Sequence, residues 1–278
     1  MKLATIRTAT GTAAVRLDDG GAVETGYHDV GVLLSQPDWR AIAVGARGAH
    51  HDSEKLDFAP VITDPGKIVC VGLNYRSHIL EMGRDLPEYP TLFAKFTDTL
   101  IGAHDDIVIP EASQALDWEA ELAVVIGASV RHADRATAEA AIAGYCVLND
   151  ITARDWQYRT VEWLQGKNFE STTPLGPYLL TADAFDISAA AIETRVGEEV
   201  VQSANLNDLL FTPADLVSYL STMFTLRSGD VIATGTPGGV GHAREPRRYL
   251  SPGAIVTTSI TGLGQCRNVC RPEHARAA

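Results

Sequence analysis

The stretch Leu116-Asp117-Trp118-Glu119-Ala120-Glu121-Leu122-Ala123-Val124-Val125-Ile126-Gly127 determines how the rest of the chain is interpreted. Its second half is an unbroken apolar run, which predicts a strand buried on both faces. Its first half has an acid at every second position, and alternate residues of a strand point to the same face. Asp117, Glu119 and Glu121 are therefore predicted to share one face where a buried strand begins.

Three like charges on one face repel one another, and acids that enter the interior need a partner. A hard divalent cation such as Mg²⁺ would be a suitable partner, because carboxylate oxygens hold it well. A solvated edge strand also explains a bare Glu-x-Glu pattern, and without further information that explanation would be favoured. The apolar run at residues 122–126 favours the buried strand instead.

The composition limits the classes of protein to which the chain can belong. Its 278 residues suit one large domain, or one domain with a small appendage. The net charge of −12 argues against a nucleic-acid partner. No apolar run approaches membrane-spanning length and the N-terminus has no leader pattern, so we expect a cytoplasmic protein without a membrane partner. Four cysteines are too few for a disulfide framework, which predicts reduced thiols.

Two regions are predicted along the chain. Residues 1–63 alternate short apolar segments with turns, as is typical of a small β-rich N-terminal domain. The turn Asp64-Pro65-Gly66 then precedes a compact apolar strand, so the main domain is predicted to cover residues 64–278.

Two helices and one loop are predicted within the main domain. Residues 73–83 suit one or two turns of helix that end near Gly83 and place His78 and Glu81 three residues apart on one face. Residues 84–90 contain two prolines and no periodicity, which predicts a mobile loop of the kind that closes over sites. Thr212, Pro213 and Asp215 form a helix-start pattern before an amphipathic segment that should pack on the core.

Five segments in order resemble the fumarylacetoacetate hydrolase family over about residues 67–271, in particular its acylpyruvase and 2-hydroxyhepta-2,4-diene-1,7-dioate isomerase-like members. The segments are Gly72-Leu73-Asn74-Tyr75 with His78 and Glu81, residues 117–122, residues 149–157, Gly166-Lys167 and residues 234–241. The resemblance implies a mostly β fold with α/β elements. It is a mixed β-sandwich roll with a small β-rich N-terminal domain, commonly assembled as a homodimer.

The resemblance also implies a cofactor and a class of substrate. Mg²⁺ or Mn²⁺ would be held by Glu119, Glu121 and Asp150, which leaves about three octahedral positions for substrate and water. Asp117 is not usually a ligand in the family, and we expect it to orient the ligands instead. The expected partner is a small 2-oxo or 2,4-dioxo acid.

Three residues are candidates for catalysis. His78 with Glu81 is a reasonable general base, because imidazole titrates near neutral pH and an adjacent carboxylate raises its pKa. A surface ion pair worth at most about 1 kcal/mol is the alternative for such a pair. Lys167 matches a family lysine that reaches the substrate and stabilises an oxyanion, although lysine is more often a solvated surface residue.

The resemblance implies substrate contacts for Gln157 and for Thr236, which lies in a glycine-rich segment and suits a substrate carboxylate. Arg154 suits either a substrate contact or a buried structural ion pair.

Five further residues have open roles. Tyr75 could contact substrate or pack in the core. Lys95 matches a recurrent family lysine without an assigned role. Trp156, Tyr158 and Trp163 could line the pocket for the acyl group or fill the core.

Three functions follow from the resemblance. The first is a hydrolase of aromatic-compound catabolism that cleaves a C–C bond of a 2,4-dioxo acid, of the acylpyruvate or fumarylpyruvate type, to pyruvate and a carboxylic acid. The second is an isomerase or decarboxylase that acts on 2-hydroxyhepta-2,4-diene-1,7-dioate or oxaloacetate through the same enolate, and it must exclude water. The third is a non-catalytic homologue that only binds oxo acids.

Overall fold

Strands dominate the structure, a computed structural model that describes residues 1–81 and 83–276. The strands are β1 Lys2–Thr8, β2 Gly11–Asp18, β3 Gly21–Glu24, β4 His50–His51, β5 Ile68–Gly72, β6 Thr91–Lys95, β7 Leu100–Ile101, β8 Ile107–Ile109, β9 Leu116–Asp117, β10 Ala120–Ile126, β11 Ile142–Asn149, β12 Thr152–Ala153, β13 Thr173–Thr181, β14 Ala191–Val196, β15 Glu199–Asn205, β16 Val231–Ala233, β17 Ile255–Ile260 and β18 Gly264–Pro272. The α-helices are α1 Val30–Leu34, α2 Trp39–Val44, α3 Arg76–Glu81, α4 Arg135–Ala140, α5 Arg154–Gln157, α6 Leu164–Lys167 and α7 Pro213–Met223.

The strands form mixed sheets, which confirms the predicted fold class. The largest sheet has the order β4-β3-β2-β1-β13-β11-β10-β16-β5-β6, with β7 beside β13. A second sheet has the order β15-β14-β17-β18-β8, and a small third sheet pairs β12 with β9. Most pairs are antiparallel, whereas β16 with β5, β18 with β8 and β13 with β7 are parallel. The two larger sheets pack together where β10 and β11 contact β14 and β17.

The N-terminal strands are part of the largest sheet. β1 pairs with β13 in antiparallel register, with Leu3 opposite Leu179. The predicted boundary between residues 63 and 64 therefore separates strands that share one sheet, and a two-domain division stays a prediction.

The central strand β10 explains the apolar run seen in the sequence. All seven of its residues are buried. Leu122, Val124 and Ile126 belong to one apolar cluster, and Ala123 and Val125 belong to another on the opposite face. Burial on both faces is therefore confirmed for this strand.

The acidic half of the stretch is not one continuous strand, which corrects the sequence-based expectation. β9 ends at Asp117, and β10 begins only at Ala120. At the break, side chains instead of a neighbouring strand accept the backbone hydrogen bonds. Asn149 Oδ1 accepts from Glu119 N at 2.9 Å, and Gln202 Oε1 accepts from Ala120 N at 3.0 Å. Asp117 therefore does not share a strand face with the two glutamates.

The helices agree with the local sequence signals. Thr212 caps α7 through Asp215 N, and the Asp215 side chain accepts from Thr212 N in return. α3 covers most of the segment predicted as a short helix, and residues 84–90 contain neither helix nor strand. In the described part of the chain, no helix is long and apolar enough to cross a membrane. All four cysteines are buried free thiols, as predicted.

Candidate active site

Three carboxylates meet where two central strands lie side by side. β10 and β11 are antiparallel with Ala120 opposite Asn149, so the start of β10 lies beside the end of β11. Glu119 precedes β10, Glu121 lies within it, and Asp150 follows β11. Ligand oxygens of these three residues all lie within 4.8 Å of one another. Asp150 is distant in sequence from Glu119 and Glu121, and the pairing of β10 with β11 places it beside them.

Buried cations neutralise part of this cluster. Lys167 Nζ donates to Glu119 Oε2 and Asp150 Oδ2, each at 2.6 Å. Lys95 Nζ lies 2.8 Å from Asp150 Oδ1, and Arg154 Nη1 lies 2.6 Å from Glu119 Oε1. Burial alone would raise the pKa of Asp150, but the two lysines lower it to about 2. Asp150 is therefore ionised, and Lys95 acquires a role that the sequence could not assign.

Two features of the cluster fit a divalent cation. Glu121 accepts a hydrogen bond from Gly235 N at 2.7 Å but has no ion pair among the described residues. Burial, and then the charges of Asp150 and Glu119, raise its pKa well above the ordinary range. In addition, Asp150 Oδ1 has no hydrogen-bond partner that meets ordinary geometry among the described residues, and its one close contact is the ion pair with Lys95 Nζ at 2.8 Å. An all-oxygen set with free acceptor capacity suits a hard cation.

Asp117 connects the cluster to the loop that follows β16. Its carboxylate accepts from Arg154 Nε at 2.8 Å, from Gly241 N at 2.7 Å and from His242 N at 2.9 Å. A side chain on Gly241 would collide with the Arg248 carbonyl, so only glycine permits this approach. Asp117 therefore holds the loop and Arg154 in place, which agrees with an orienting role.

A cavity of about 430 Å³ opens in front of the carboxylates. Seven of the predicted site residues line it: His78, Glu119, Glu121, Arg154, Gln157, Lys167 and Thr236. Arg154 is also the buried ion-pair residue that the sequence left as an alternative, and its Nη1 donates to Gln157 Oε1 at 2.9 Å. Thr236 Oγ1 accepts from Gln202 Nε2 at 2.8 Å. The structure thus brings together most of the predicted site.

His78 and Glu81 lie on α3 against Gly238. A Cβ on Gly238 would lie 3.1 Å from His78 Nδ1 and 3.6 Å from Glu81 Oε2. His78 is half-buried, whereas Glu81 is exposed and is not among the cavity-lining residues. Burial lowers the pKa of His78 more than Glu81 and Glu119 raise it, and Arg84 lowers it further. The expected upward shift is therefore wrong, and the imidazole is neutral at pH 7.

The residues with open roles divide between the cavity and the core. Tyr75 is fully buried, belongs to an apolar cluster, and is absent from the cavity lining. Its hydroxyl has no hydrogen-bond partner in the described part of the chain. Tyr158 and Trp163 line the cavity, whereas Trp156 packs on Phe169 with ring centroids 5.3 Å apart. The geometry gives no support for substrate contact by Tyr75.

Sequence reasoning missed two residues of the site. His242 lines the cavity directly after the glycine-rich segment, so its position beside that segment was an available signal. Gln202 reaches the site from β15 and bonds both Ala120 N and Thr236 Oγ1. No local pattern indicates Gln202, because strand pairing alone brings it there.

Comparison with known proteins agrees with this site. Residues 67–271 match the family model described as fumarylacetoacetate (FAA) hydrolase C-terminal. The mitochondrial oxaloacetate tautomerase of Homo sapiens is 45% identical over 215 residues, which cover 76% of this chain and 68% of the human protein. Its mitochondrial name gives no support to the cytoplasmic location expected from the sequence, which stays a prediction.

Two solved structures share the fold over nearly the whole chain. Fumarylacetoacetate hydrolase from Exiguobacterium antarcticum has a TM-score of 0.86 and 30% identity, with 98% of this chain and 100% of that chain covered. The 5-carboxymethyl-2-hydroxymuconate delta-isomerase from Mycobacterium smegmatis has a TM-score of 0.83 and 28% identity, with the same coverage of 98% and 100%. The family predicted from the five motifs is thus confirmed: this chain belongs to the fumarylacetoacetate hydrolase family.

Proposed function

We propose that this protein is a tautomerase that depends on a divalent cation and interconverts the keto and enol forms of a 2-oxo dicarboxylic acid such as oxaloacetate. The observation that carries the proposal is the buried carboxylate cluster at the floor of a cavity that His78 also lines. Glu119, Glu121 and Asp150 are the proposed ligands, and Mg²⁺ or Mn²⁺ suits their oxygen donors.

The bound cation would supply a Lewis acid that withdraws charge from the 2-oxo oxygen of the substrate. His78, neutral at pH 7, accepts a proton from C3 of the keto form. The electron pair of that C–H bond becomes the C2–C3 double bond, and the oxygen at C2 takes up a proton to complete the enol. Glu81 lies beside the histidine and favours the imidazolium that forms.

Lys167 and Lys95 have a different part in this proposal. Both amines contact Asp150, and Lys167 also contacts Glu119. These contacts hold Asp150 ionised and keep both carboxylates in fixed orientations, so that they are ready to bind a cation. Lys167 also lines the cavity, which leaves its amine near the substrate.

The comparisons favour a tautomerase or isomerase over the hydrolase that was first expected. Hydrolysis of a 2,4-dioxo acid requires His78 to activate water, and the same geometry would allow that. The sequence identity of 45% to a protein named as an oxaloacetate tautomerase supports proton transfer without water attack. The homodimer, the aromatic-compound pathway and the identity of the metal stay predictions.

The test follows the enol form of oxaloacetate by ultraviolet absorbance after mixing with protein and Mg²⁺. We expect the enol to disappear faster than in buffer, and we expect EDTA to remove the effect. Proton exchange at C3 in D₂O, followed by NMR, gives an independent readout. Hydrolysis of acetylpyruvate or fumarylpyruvate, with no effect on oxaloacetate, would overturn the proposal in favour of the hydrolase.

A further inference from the structure

His242 is a second histidine of the cavity, and the proton transfer proposed for His78 does not involve it. It lies between β16 and β17 and is half-buried among the lining residues. Its backbone N–H donates to Asp117 Oδ2 at 2.9 Å. Because Asp117 also binds Arg154, one buried carboxylate sets the position of His242 relative to the floor of the cavity.

Two tyrosines hold the His242 ring in one orientation. The Tyr249 hydroxyl lies 2.9 Å from Nδ1. The Tyr158 ring lies over the imidazole with centroids 5.0 Å apart and planes inclined by 30°. With Nδ1 engaged, Nε2 is the ring nitrogen that has no hydrogen-bond partner among the described residues. If the Tyr249 hydroxyl donates to Nδ1, Nε2 carries the proton and can donate it to a ligand.

The charges that act on His242 are mainly positive. On the floor, Lys95, Lys167 and Arg154 are all paired with carboxylates. Arg84 also lines the cavity, where its charge acts on His78, and it has no ion pair with any acid of the described residues. Burial, and then Arg154 and Arg247, lower the pKa of His242 against the opposing charge of Asp117. An anionic group would be stabilised at this wall.

We propose that His242 is a specificity-determining residue whose Nε2–H binds the distal carboxylate of a 2-oxo dicarboxylic acid, while the 2-oxo acid end of the substrate faces the carboxylate floor. The proposal rests on the proposed function for its substrate class. It extends that function by giving one side chain the task of separating dicarboxylic from monocarboxylic oxo acids. A buried or shielded hydrogen bond to a charged group is strong enough to discriminate in this way.

The test measures binding by calorimetry to the full chain with Mg²⁺ present, with three ligands. Oxaloacetate has the distal carboxylate, 2-oxobutyrate has a methyl group in its place, and oxalate lacks that part of the molecule. We expect His242→Phe, which keeps an aromatic ring beside Tyr158, to weaken oxaloacetate binding about tenfold. Binding of 2-oxobutyrate and oxalate should stay within about twofold of wild type.

Two further variants keep the test decisive if His242→Phe folds poorly. His242→Gln retains an N–H donor and should recover part of the preference for oxaloacetate. Tyr249→Phe removes the hydrogen-bond partner of His242 Nδ1 and should weaken the binding of oxaloacetate alone, by about threefold. If His242→Phe weakened the binding of all three ligands equally, or left oxaloacetate binding unchanged, the proposal would be overturned.

Binding and tautomerisation are measured separately, so the role of His242 and the proposed function can fail independently. Selective loss of oxaloacetate binding in His242→Phe, in a protein that does not catalyse tautomerisation, would reject the tautomerase and retain the binding role of His242. Catalysed tautomerisation with no change of binding in His242→Phe would reject the role of His242 alone.

Discussion

The floor and the wall of the cavity are built in different ways. The floor is the carboxylate cluster of Glu119, Glu121 and Asp150 at the adjoining ends of two paired central strands, and these residues are 7%, 1% and 0% exposed. The wall carries His78 on a helix of six residues and His242 on a loop, and both are half-buried. The floor is thus fixed by the sheet, whereas the wall depends on a few local contacts.

This difference suggests a division of tasks. Buried charges are costly unless each has a partner, and two lysines and an arginine supply partners for Asp150 and Glu119, whereas Glu121 has no ion pair among the described residues and is left for a cation. Such a site changes little when a substrate arrives, which suits tight capture of a cation and an oxo acid. The wall carries the proton acceptor and the proposed carboxylate contact, so it would determine which reaction follows and on which acid.

The largest effect is expected from a substitution that removes a wall residue, His78, and leaves the carboxylates of the floor in place. His78→Ala should lower kcat for oxaloacetate tautomerisation by roughly 10²- to 10⁴-fold, because a positioned general base contributes that much. Mg²⁺ affinity, measured by calorimetry, should not change. His28→Ala is the matched control, since His28 is exposed and outside the cavity lining, and it should behave as wild type. Full activity of His78→Ala would remove this residue from the mechanism.

The next largest effect is expected from a substitution that removes a cation paired with the floor carboxylates. Lys167→Met removes a buried cation that binds two carboxylates, and it should lower the free energy of unfolding without metal by about 3 kcal/mol. Mg²⁺ should restore part of this loss, because it replaces the missing positive charge. Urea unfolding with EDTA and with Mg²⁺ measures both. Lys55→Met is the control, because that side chain is 82% exposed, and it should change stability by less than about 0.5 kcal/mol. Equal stability of Lys167→Met and wild type in EDTA would contradict the account.

A smaller effect is expected in the pH dependence of kcat/KM, which tests whether His78 of the wall is the base. The pKa of His78 is lowered from its ordinary value of 6.5, chiefly by burial. The neutral form accepts the proton, so kcat/KM at saturating Mg²⁺ should be level near pH 7 and should fall about tenfold per pH unit once the pH drops below this lowered pKa. His78→Ala should lose this acid limb. An acid limb centred well above pH 6.5 would show that another group is the base.

The contrast also explains which features the sequence could predict. Burial of β10 on both faces, the capped start of α7 and the grouping of Glu119, Glu121 and Asp150 followed from local patterns and motif resemblance. These features depend on residues close in sequence or on a shared family pattern.

Other features depend on side chains that are distant in sequence. The break before Ala120 arises because Asn149 and Gln202 bind the backbone there. The net pKa shift of His78 reverses because burial outweighs the neighbouring Glu81, and burial is a property of the folded chain. Pairing of β1 with β13 joins the N-terminal strands to the main sheet, which no local pattern indicated.

The most direct test of the central claim is Mg²⁺ binding to Glu119→Gln and to wild type, measured by calorimetry at one pH, with circular dichroism to confirm that both are folded. The substitution keeps the shape of the side chain and removes the charge that faces Lys167 and Arg154. We expect Glu119→Gln to bind Mg²⁺ at least about tenfold more weakly than wild type and to lose oxaloacetate tautomerisation. Unchanged Mg²⁺ affinity together with retained activity would contradict that claim.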